Sequence, residues 1–421
     1  MAGICLGCAK VVCVSRVALS SQLFDVTRLG KMVWLLGLTQ VIGYGTLYYS
    51  FAILADDIAT DFGWTQADFF AAFSAALVAG GLVAPHMGRA LDRLGAAKVM
   101  AWGSLASACA MALVAIAPSP VWFVLALILS QVAGTFVLYD AAFTSLVQAT
   151  GGHAQRRIVH LTLIAGFASS VFWPLTHWLD VHFGWRIVMA GYAALNLLVC
   201  LPVHAVLSRW AGTGRIIAHD AATGEPKPHA HAALADEHKR RAFLLVTTGF
   251  SLSSFALSAV LSQMVPMMTA LGFGAASLAV ATLFGPAQVA VRFTNMVFGS
   301  KRHPLTITII GMALLPLALF TVAASAPAYG GAVAFVILVG LCSGLKSIVQ
   351  GTLTLALFGS EGFGARIGLM ASFRYVLGAL APFVFAWAAE QGTAAMAATV
   401  FAVIGCLGVL AFVGVARMIW R

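Results

Sequence analysis

Charged side chains are scarce in this chain. Asp, Glu, Lys and Arg together make up 9% of its 421 residues, whereas 61% of the residues are hydrophobic. A soluble domain is about 45–50% apolar and about 25% charged, so a soluble fold of this size cannot bury the excess apolar surface. We therefore predict that the chain exposes this surface to lipid.

Acidic residues are the scarcer of the two charged classes. The chain has 14 Asp and Glu residues against 24 Lys and Arg residues, which gives a formal net charge of +10. An excess of positive charge can indicate a nucleic-acid partner, but here the basic residues form short clusters between apolar runs and no continuous patch. We therefore expect no nucleic-acid partner.

Residue patterns for covalent chemistry are also missing from the sequence. It contains no Walker loop and no nucleophile with an accompanying base. Cys5 and Cys8 form a lone CxxC, and no second pair completes a zinc site. The histidines of the one long polar stretch have no recognised metal-site spacing. We therefore expect neither an enzyme nor a bound metal or cofactor.

Long apolar runs dominate what is present. A membrane-spanning helix needs about 20 apolar residues to cross a hydrocarbon core of about 30 Å, and twelve runs reach this length. These runs are 33–55, 67–88, 98–117, 121–148, 158–179, 187–207, 242–268, 275–298, 305–325, 330–357, 365–389 and 395–416. The sequence thus predicts an all-α integral membrane protein with twelve transmembrane helices.

Polar segments divide the twelve runs into two sets of six. A polar tail precedes the first run, and Met32 at its end is an alternative start position. A second polar stretch, with several Gly, Pro and His residues, joins the sixth and seventh runs. The predicted organisation is a tail at 1–32, a first six-helix bundle at 33–207, a linker at 208–241 and a second bundle at 242–418.

The distribution of basic residues predicts the topology. When the runs alternate from a cytoplasmic N-terminus, 20 of the 24 Lys and Arg residues fall on the cytoplasmic side, and the outer loops hold only Arg186. Cytoplasmic loops of membrane proteins are enriched in Lys and Arg. We therefore expect both termini to be cytoplasmic, in a bacterial-type inner membrane.

Four ionisable side chains lie inside the apolar runs: Asp140, Arg292, Lys346 and Arg374. Each costs about 2.5–3.5 kcal/mol near a helix centre, so such residues normally face a cavity or one another. Three cations against one acid leave a positive surplus that an anionic substrate would balance. Asp140 is deep enough to carry a coupling proton, although permanent pairing with a cation explains it equally well. Arg292 lies near a helix end, from which it can instead extend to the surface.

Further polar side chains share helix faces. Residues four apart lie on the same face of a helix, as do Gln40, Tyr44 and Tyr48. The binding candidates beside the three cations are Gln40, Tyr44, Tyr48, Tyr139, Gln263, Gln288 and Gln350. Stripes of this kind also fit polar contacts that hold membrane helices together.

The segment GRALDRLG at 88–95, followed by Lys98, resembles the GxxxDRxG signature of the major facilitator superfamily. With the twelve runs and the linker, the resemblance covers 33–418, and it departs from the pattern at Ala97, where the family has a basic residue. It implies two pseudo-symmetric six-helix bundles. In the family this loop latches the two halves by charge contacts to helix ends, which implies a gating role for Gly88, Asp92, Arg93 and Gly95.

Two shorter segments are similar to the monocarboxylate and oxalate/formate branch of that family. These are DFGW at 61–64 and AFS at 72–74. In that branch an arginine on the eighth helix contacts the substrate carboxylate, and Arg292 lies on the corresponding helix. The antiporter signature of the fifth helix is matched only in fragments, at Gly166 and at Trp173-Pro174.

These observations predict a secondary transporter. We expect a monomer that moves a small organic anion of the carboxylate type by alternating access between its two bundles, with protons as the coupling ion. A proton-driven efflux antiporter for drugs or metabolites is the alternative. A transporter-like sensor is disfavoured, because the linker is too short to offer a sizeable surface to a partner.

Overall fold

The structure is a computed structural model, and it describes residues 28–212, 236–274, 276–299 and 302–420. Most of the predicted tail at 1–32 and most of the predicted linker at 208–241 lie outside these ranges. The domain boundaries proposed from the sequence therefore remain predictions.

In the described part of the first half, every regular element is helical. Helix α1 covers 28–53 and contains a π-helical turn at Gly45–Tyr49. The helices that follow are α2 (Ala55–Phe62), α3 (Gln66–Leu94), α4 (Ala96–Ala115), α5 (Pro120–Thr135), α6 (Tyr139–Thr150), α7 (Ala154–Ala165), α8 (Ala168–Phe183), α9 (Trp185–Leu195) and α10 (Leu201–Gly212).

The described part of the second half is also helical. Its first helix, α11 (Asp236–Met268), continues into a π-helical turn at Thr269–Phe273. The remaining helices are α12 (Ala276–Ala281), α13 (Phe284–Phe298), α14 (Pro304–Ser325), α15 (Tyr329–Phe358), α16 (Phe363–Gln391) and α17 (Ala394–Ile419).

Ten helical stretches in the described residues are long and apolar enough to cross a membrane. One of them, Pro120–Phe183, contains both the fourth and the fifth predicted runs. The first predicted run, 33–55, coincides with most of α1. The predicted all-α membrane fold is therefore confirmed, and a total of twelve spans is consistent with it.

Local capping fixes where α3 begins. The Thr65 hydroxyl accepts a hydrogen bond from the backbone N–H of Asp68, and the Asp68 carboxylate accepts one from the backbone N–H of Thr65 at 3.0 Å. This reciprocal arrangement is a capping box, which satisfies two N–H groups that a helix start leaves free. At the other end of α3, Gly95 alone separates it from α4. We call the end of the bundle that carries 88–95 the motif end, and the opposite end the α2 end.

Buried apolar side chains form separate cores in the two halves. One core consists only of second-half residues and includes Phe250 and Phe335. A first-half core around Phe51 lies toward the α2 end. A third core, at the motif end, is built mostly from the first half but also includes Phe363 and Ile367 of α16. The two halves therefore share packed apolar surface at the motif end.

Glycines allow α3 and α16 to pack closely across the two halves. A Cβ atom on Gly88 would overlap the backbone oxygen of Gly364, and one on Gly368 would lie 2.5 Å from the backbone oxygen of Ala84. Small residues of this kind let helix backbones approach each other in membranes. Helix α15 makes a second cross-half contact, where Gly351 faces Phe143 of α6.

Candidate functional site

Asp140 and Arg374 form an ion pair between the two halves. Nη2 of Arg374 on α16 lies 3.0 Å from Oδ2 and 3.3 Å from Oδ1 of Asp140, which is in the first turn of α6. Both side chains are buried, at 6% and 5% exposed. The pairing offsets part of the cost of burying two charges. Nη1 of Arg374, however, has no hydrogen-bond partner.

Arg292 is buried without an acidic partner among the described residues. It lies on α13 and is 4% exposed, so it does not extend to the surface. Its Nε and Nη1 atoms have no hydrogen-bond partner. Nη1 of Arg292 packs against Gly166 of the first half, and a Cβ atom at position 166 would overlap this nitrogen. The guanidinium therefore occupies the boundary between the halves.

Lys346 adds a third cation to this interior. It lies on α15, is partly buried, and is close enough to Arg374 to interact with it electrostatically. No acid in the described part of the chain forms an ion pair with it. The three predicted cations thus lie near the boundary of the halves, where Asp140 balances only one of them.

Tyrosines surround the ion pair. The ring centroids of Tyr44 and Tyr139 are 4.5 Å apart, and Tyr139 immediately precedes Asp140 in the chain. The guanidinium carbon of Arg374 lies 5.7 Å from the ring centroid of Tyr375. The structure therefore brings the predicted Tyr44 and Tyr139 together with Asp140 and Arg374. It also adds Tyr375, whose only signal in the sequence is its position next to Arg374.

The π-helical turn of α1 explains why Tyr49 also joins the site. A π turn closes between residues five apart, whereas an α turn closes between residues four apart. The ring of Tyr44 consequently lies 6.4 Å from that of Tyr48 and 6.2 Å from that of Tyr49. Gly45 begins this turn and allows Phe172 to pack closely against it, because a Cβ at position 45 would overlap the ring of Phe172. A helical period of four residues predicted Tyr48 and missed Tyr49.

The predicted glutamines divide into two groups. The side-chain amide of Gln40 donates to the backbone oxygen of Val137 at 2.7 Å, and that of Gln288 donates to the Ser343 hydroxyl at 2.7 Å. Gln263 and Gln350 are partly buried, and their side chains make no hydrogen bond within the described ranges. The structure thus assigns Gln40 and Gln288 to contacts between helices, and it does not bring Gln263 or Gln350 to the ion pair.

The motif end contains a second charged contact between the halves. Oδ1 and Oδ2 of Asp92 accept hydrogen bonds from the backbone N–H groups of Gly364 and Ala365, at 2.9 and 2.7 Å. These groups belong to the first turn of α16, where a helix favours negative charge. Among the predicted gating residues, Gly88 and Asp92 contact the other half. Arg93 is exposed, and Gly95 has no cross-half neighbour.

An all-helical membrane bundle with a buried, charged site between two halves is the architecture of a membrane transporter. The family model described as Major Facilitator Superfamily matches residues 34–382. The chain belongs to this superfamily. It is accordingly a multi-pass membrane protein and a transporter of small molecules, and it is not an enzyme. The narrower similarity to the monocarboxylate and oxalate/formate branch remains a prediction.

Several solved transporter structures share the fold. The human organic anion transporter MFSD10 (TETRAN) is 16% identical with a TM-score of 0.69, covering 92% of this chain and 99% of that one. The proton:xylose symporter XylE is 13% identical with a TM-score of 0.67, covering 92% and 96%. The E. coli fucose:proton symporter FucP is 12% identical with a TM-score of 0.64, covering 91% and 98%. A search of curated protein sequences found no significant match.

Proposed function

We propose that the protein carries a small organic anion of the carboxylate type across a membrane by alternating access, in symport with protons. The buried nitrogens of Arg292 carry this proposal, because Nε and Nη1 have no partner. A buried donor without a partner costs about 1–3 kcal/mol. A carboxylate would satisfy it, since its two oxygens match the planar fork of a guanidinium.

The remaining cations extend the attraction across the boundary between the halves. Arg374 has one nitrogen, Nη1, that Asp140 does not engage. Lys346 lies near Arg374 and, when protonated, adds to the positive potential there. In a site that excludes water, such a surplus attracts an anion more strongly than it would at the surface. Arg292 is thus the proposed anchor for the carboxylate, and Lys346 and Arg374 provide the surrounding positive charge.

Asp140 is the proposed carrier of the coupling proton. Its carboxylate competes with a substrate carboxylate for the guanidinium of Arg374. Protonation would remove the charge of Asp140 and weaken the ion pair, which would free Arg374 for the substrate. Proton binding and anion binding would then favour each other, as symport requires. A permanent structural ion pair is the alternative role for Asp140.

The contacts between the halves suggest the direction of access. Asp92, Gly88 and Gly351 each contact the opposite half, and Gly88 and Asp92 do so at the motif end itself. We propose that this conformation is closed at the motif end and that the site is reached from the α2 end. With the N-terminus in the cytoplasm, the motif end would face the cytoplasm and the α2 end would face outward.

A binding screen on the purified protein tests the anion. A ligand that binds the folded state raises its apparent thermal stability. We expect carboxylates to raise the unfolding midpoint and the corresponding amides to leave it unchanged. Arg292→Gln should remove the response, and Arg417→Gln, which removes an exposed arginine on α17, should retain it. A response only to neutral or cationic aromatic compounds would make the cations structural and would favour the efflux antiporter.

A further inference from the structure

Most of the chain's tyrosines converge on the candidate site. The sequence contains 7 tyrosines. The rings of Tyr48, Tyr49 and Tyr139 each contact the ring of Tyr44, and Tyr375 lies beside Arg374. They come from α1, α6 and α16, so both halves contribute.

The rings form a continuous aromatic wall. From α8 toward α6, the ring centroids of Trp173 and Tyr49 are 6.1 Å apart, and those of Tyr49 and Tyr44 are 6.2 Å apart. The ring centroids of Tyr44 and Tyr139 are 4.5 Å apart. Tyr139 stacks on Phe143 with a centroid distance of 5.2 Å and an angle of 12° between the ring planes. Aromatic rings prefer such edge-to-face and offset contacts with further rings.

The wall is exposed at Tyr48. The ring centroid of Tyr48 lies 6.4 Å from that of Tyr44 and 5.5 Å from that of Tyr49, so Tyr48 extends the wall, and 41% of this residue is exposed. Across the described residues, the hydroxyl groups of Tyr44, Tyr48, Tyr49 and Tyr139 have no hydrogen-bond partner. Rings and hydroxyls therefore remain available to a ligand next to the ion pair.

Three amide side chains of the first half donate to protein oxygens at 2.7–3.0 Å: Gln40 to Val137, Gln131 to Leu47 and Asn196 to Thr46. The Oε1 atom of Gln40 has no partner. A polyhydroxylated anion would need such amides to bind its many hydroxyl groups. The cations, phenol groups and ring faces beside the ion pair suit a flat apolar body that carries a carboxylate.

We propose that the substrate class is aromatic carboxylates, with the ring against the tyrosine wall and the carboxylate toward Arg292. This assignment rests on the proposed anion transport and specifies which class of carboxylate is transported. Ring stacking contributes binding free energy beyond that from buried apolar area. The wall should therefore bind a flat aromatic ring more tightly than a saturated ring of similar size.

A ligand series on the purified protein tests the assignment. Dissociation constants are measured for benzoate, cyclohexanecarboxylate, acetate, gluconate and benzamide. We expect benzoate to bind about tenfold more tightly than cyclohexanecarboxylate and benzamide not to bind. Equal binding of benzoate and cyclohexanecarboxylate, or tighter binding of gluconate, would overturn the aromatic assignment and leave anion transport intact. If none of the carboxylates binds, the proposed function itself fails.

Variants of Tyr48 separate the ring from the hydroxyl. Tyr48→Leu should weaken benzoate binding about tenfold while changing acetate binding by less than about twofold, because acetate makes no ring contact. Tyr48→Phe should retain benzoate binding. Tyr329→Leu, at an exposed tyrosine near the start of α15, is the matched control and should change neither ligand. Equal losses for benzoate and acetate in Tyr48→Leu would contradict the aromatic wall.

Discussion

The carboxylate of Asp140 meets the guanidinium of Arg374 at 3.0 Å across the boundary between the two halves, with both side chains buried. One residue belongs to α6 and the other to α16, so the pair holds the halves together as well as neutralising two charges. A proton on Asp140 or a competing carboxylate at Arg374 would weaken the same contact. Occupancy of the site is thereby linked to the relative position of the halves, which is what alternating access requires.

Removing the charge of Asp140 should uncouple anion binding from protons. In the wild type, an inward pH gradient should drive accumulation of the anion in proteoliposomes, because the proposed symport carries a proton on Asp140 together with the anion. In Asp140→Asn this position binds no proton, while Arg374 stays free to bind the anion. Exchange of anion for anion should persist in proteoliposomes, whereas accumulation driven by a pH gradient should be lost. A variant that still accumulates anion in response to the gradient would exclude Asp140 as the proton carrier.

Removing Arg374 should abolish anion binding. Arg374→Ala also leaves Asp140 as an uncompensated buried charge, which can cost about 3–5 kcal/mol and lower the amount of protein in the membrane. The double variant Asp140→Asn/Arg374→Gln removes both charges and separates the two effects. We expect normal membrane levels without binding in the double variant, measured by quantitative immunoblot and thermal shift. Loss of the single variant from the membrane, together with binding by the double variant, would make Arg374 a structural residue.

The fold was predictable because its signals are local. Apolar runs of spanning length and the segment at 88–95 depend only on composition and short spacing, and both correspond to the observed helices and to the contact of Asp92 with α16. The clustering of Asp140 and Arg374 followed from the cost of isolated charges in a membrane. The free-energy cost of burying a charge predicts that Asp140 has a partner of opposite charge, but it does not predict which of the three cations that partner is.

The details of the site were not predictable because they depend on packing between distant segments. Tyr49 reaches Tyr44 through a π turn, and Gly45 in this turn leaves room for the ring of Phe172. Gly166 is adjacent to Arg292 although 126 positions separate them in the sequence. Gln40 looked like a binding residue because it shares a helix face with Tyr44, yet its amide is held by Val137. The spacing of residues along a helix shows which of them share a face. It does not show which residues of other helices lie opposite that face.

Enlarging Gly166 should weaken anion binding without changing any charge. A methyl group at this position would overlap Nη1 of Arg292, so Gly166→Ala should displace the guanidinium and raise the dissociation constant about tenfold, as expected for a lost charge-assisted hydrogen bond. Gly191→Ala is the control, because a Cβ there would have no neighbour within 4 Å. Both variants are compared by titration with a carboxylate. Unchanged affinity in Gly166→Ala would show that Arg292 binds the anion from a different position, or not at all.

Neutralising Asp92 should loosen the contact between the halves at the motif end. Its two oxygens accept hydrogen bonds from Gly364 and Ala365, and the asparagine in Asp92→Asn would keep one acceptor but lose the charge that the start of α16 favours. Spin labels attached at Leu94→Cys and Glu361→Cys, in a background without native cysteines, report the separation of α3 and α16. We expect a second, longer distance to appear in Asp92→Asn, and only the original distance in Asp68→Asn, which alters the opposite end of α3. If the distance distribution is the same in both, the hydrogen bonds of Asp92 do not control closure, and the close packing at Gly88 must hold this end without them.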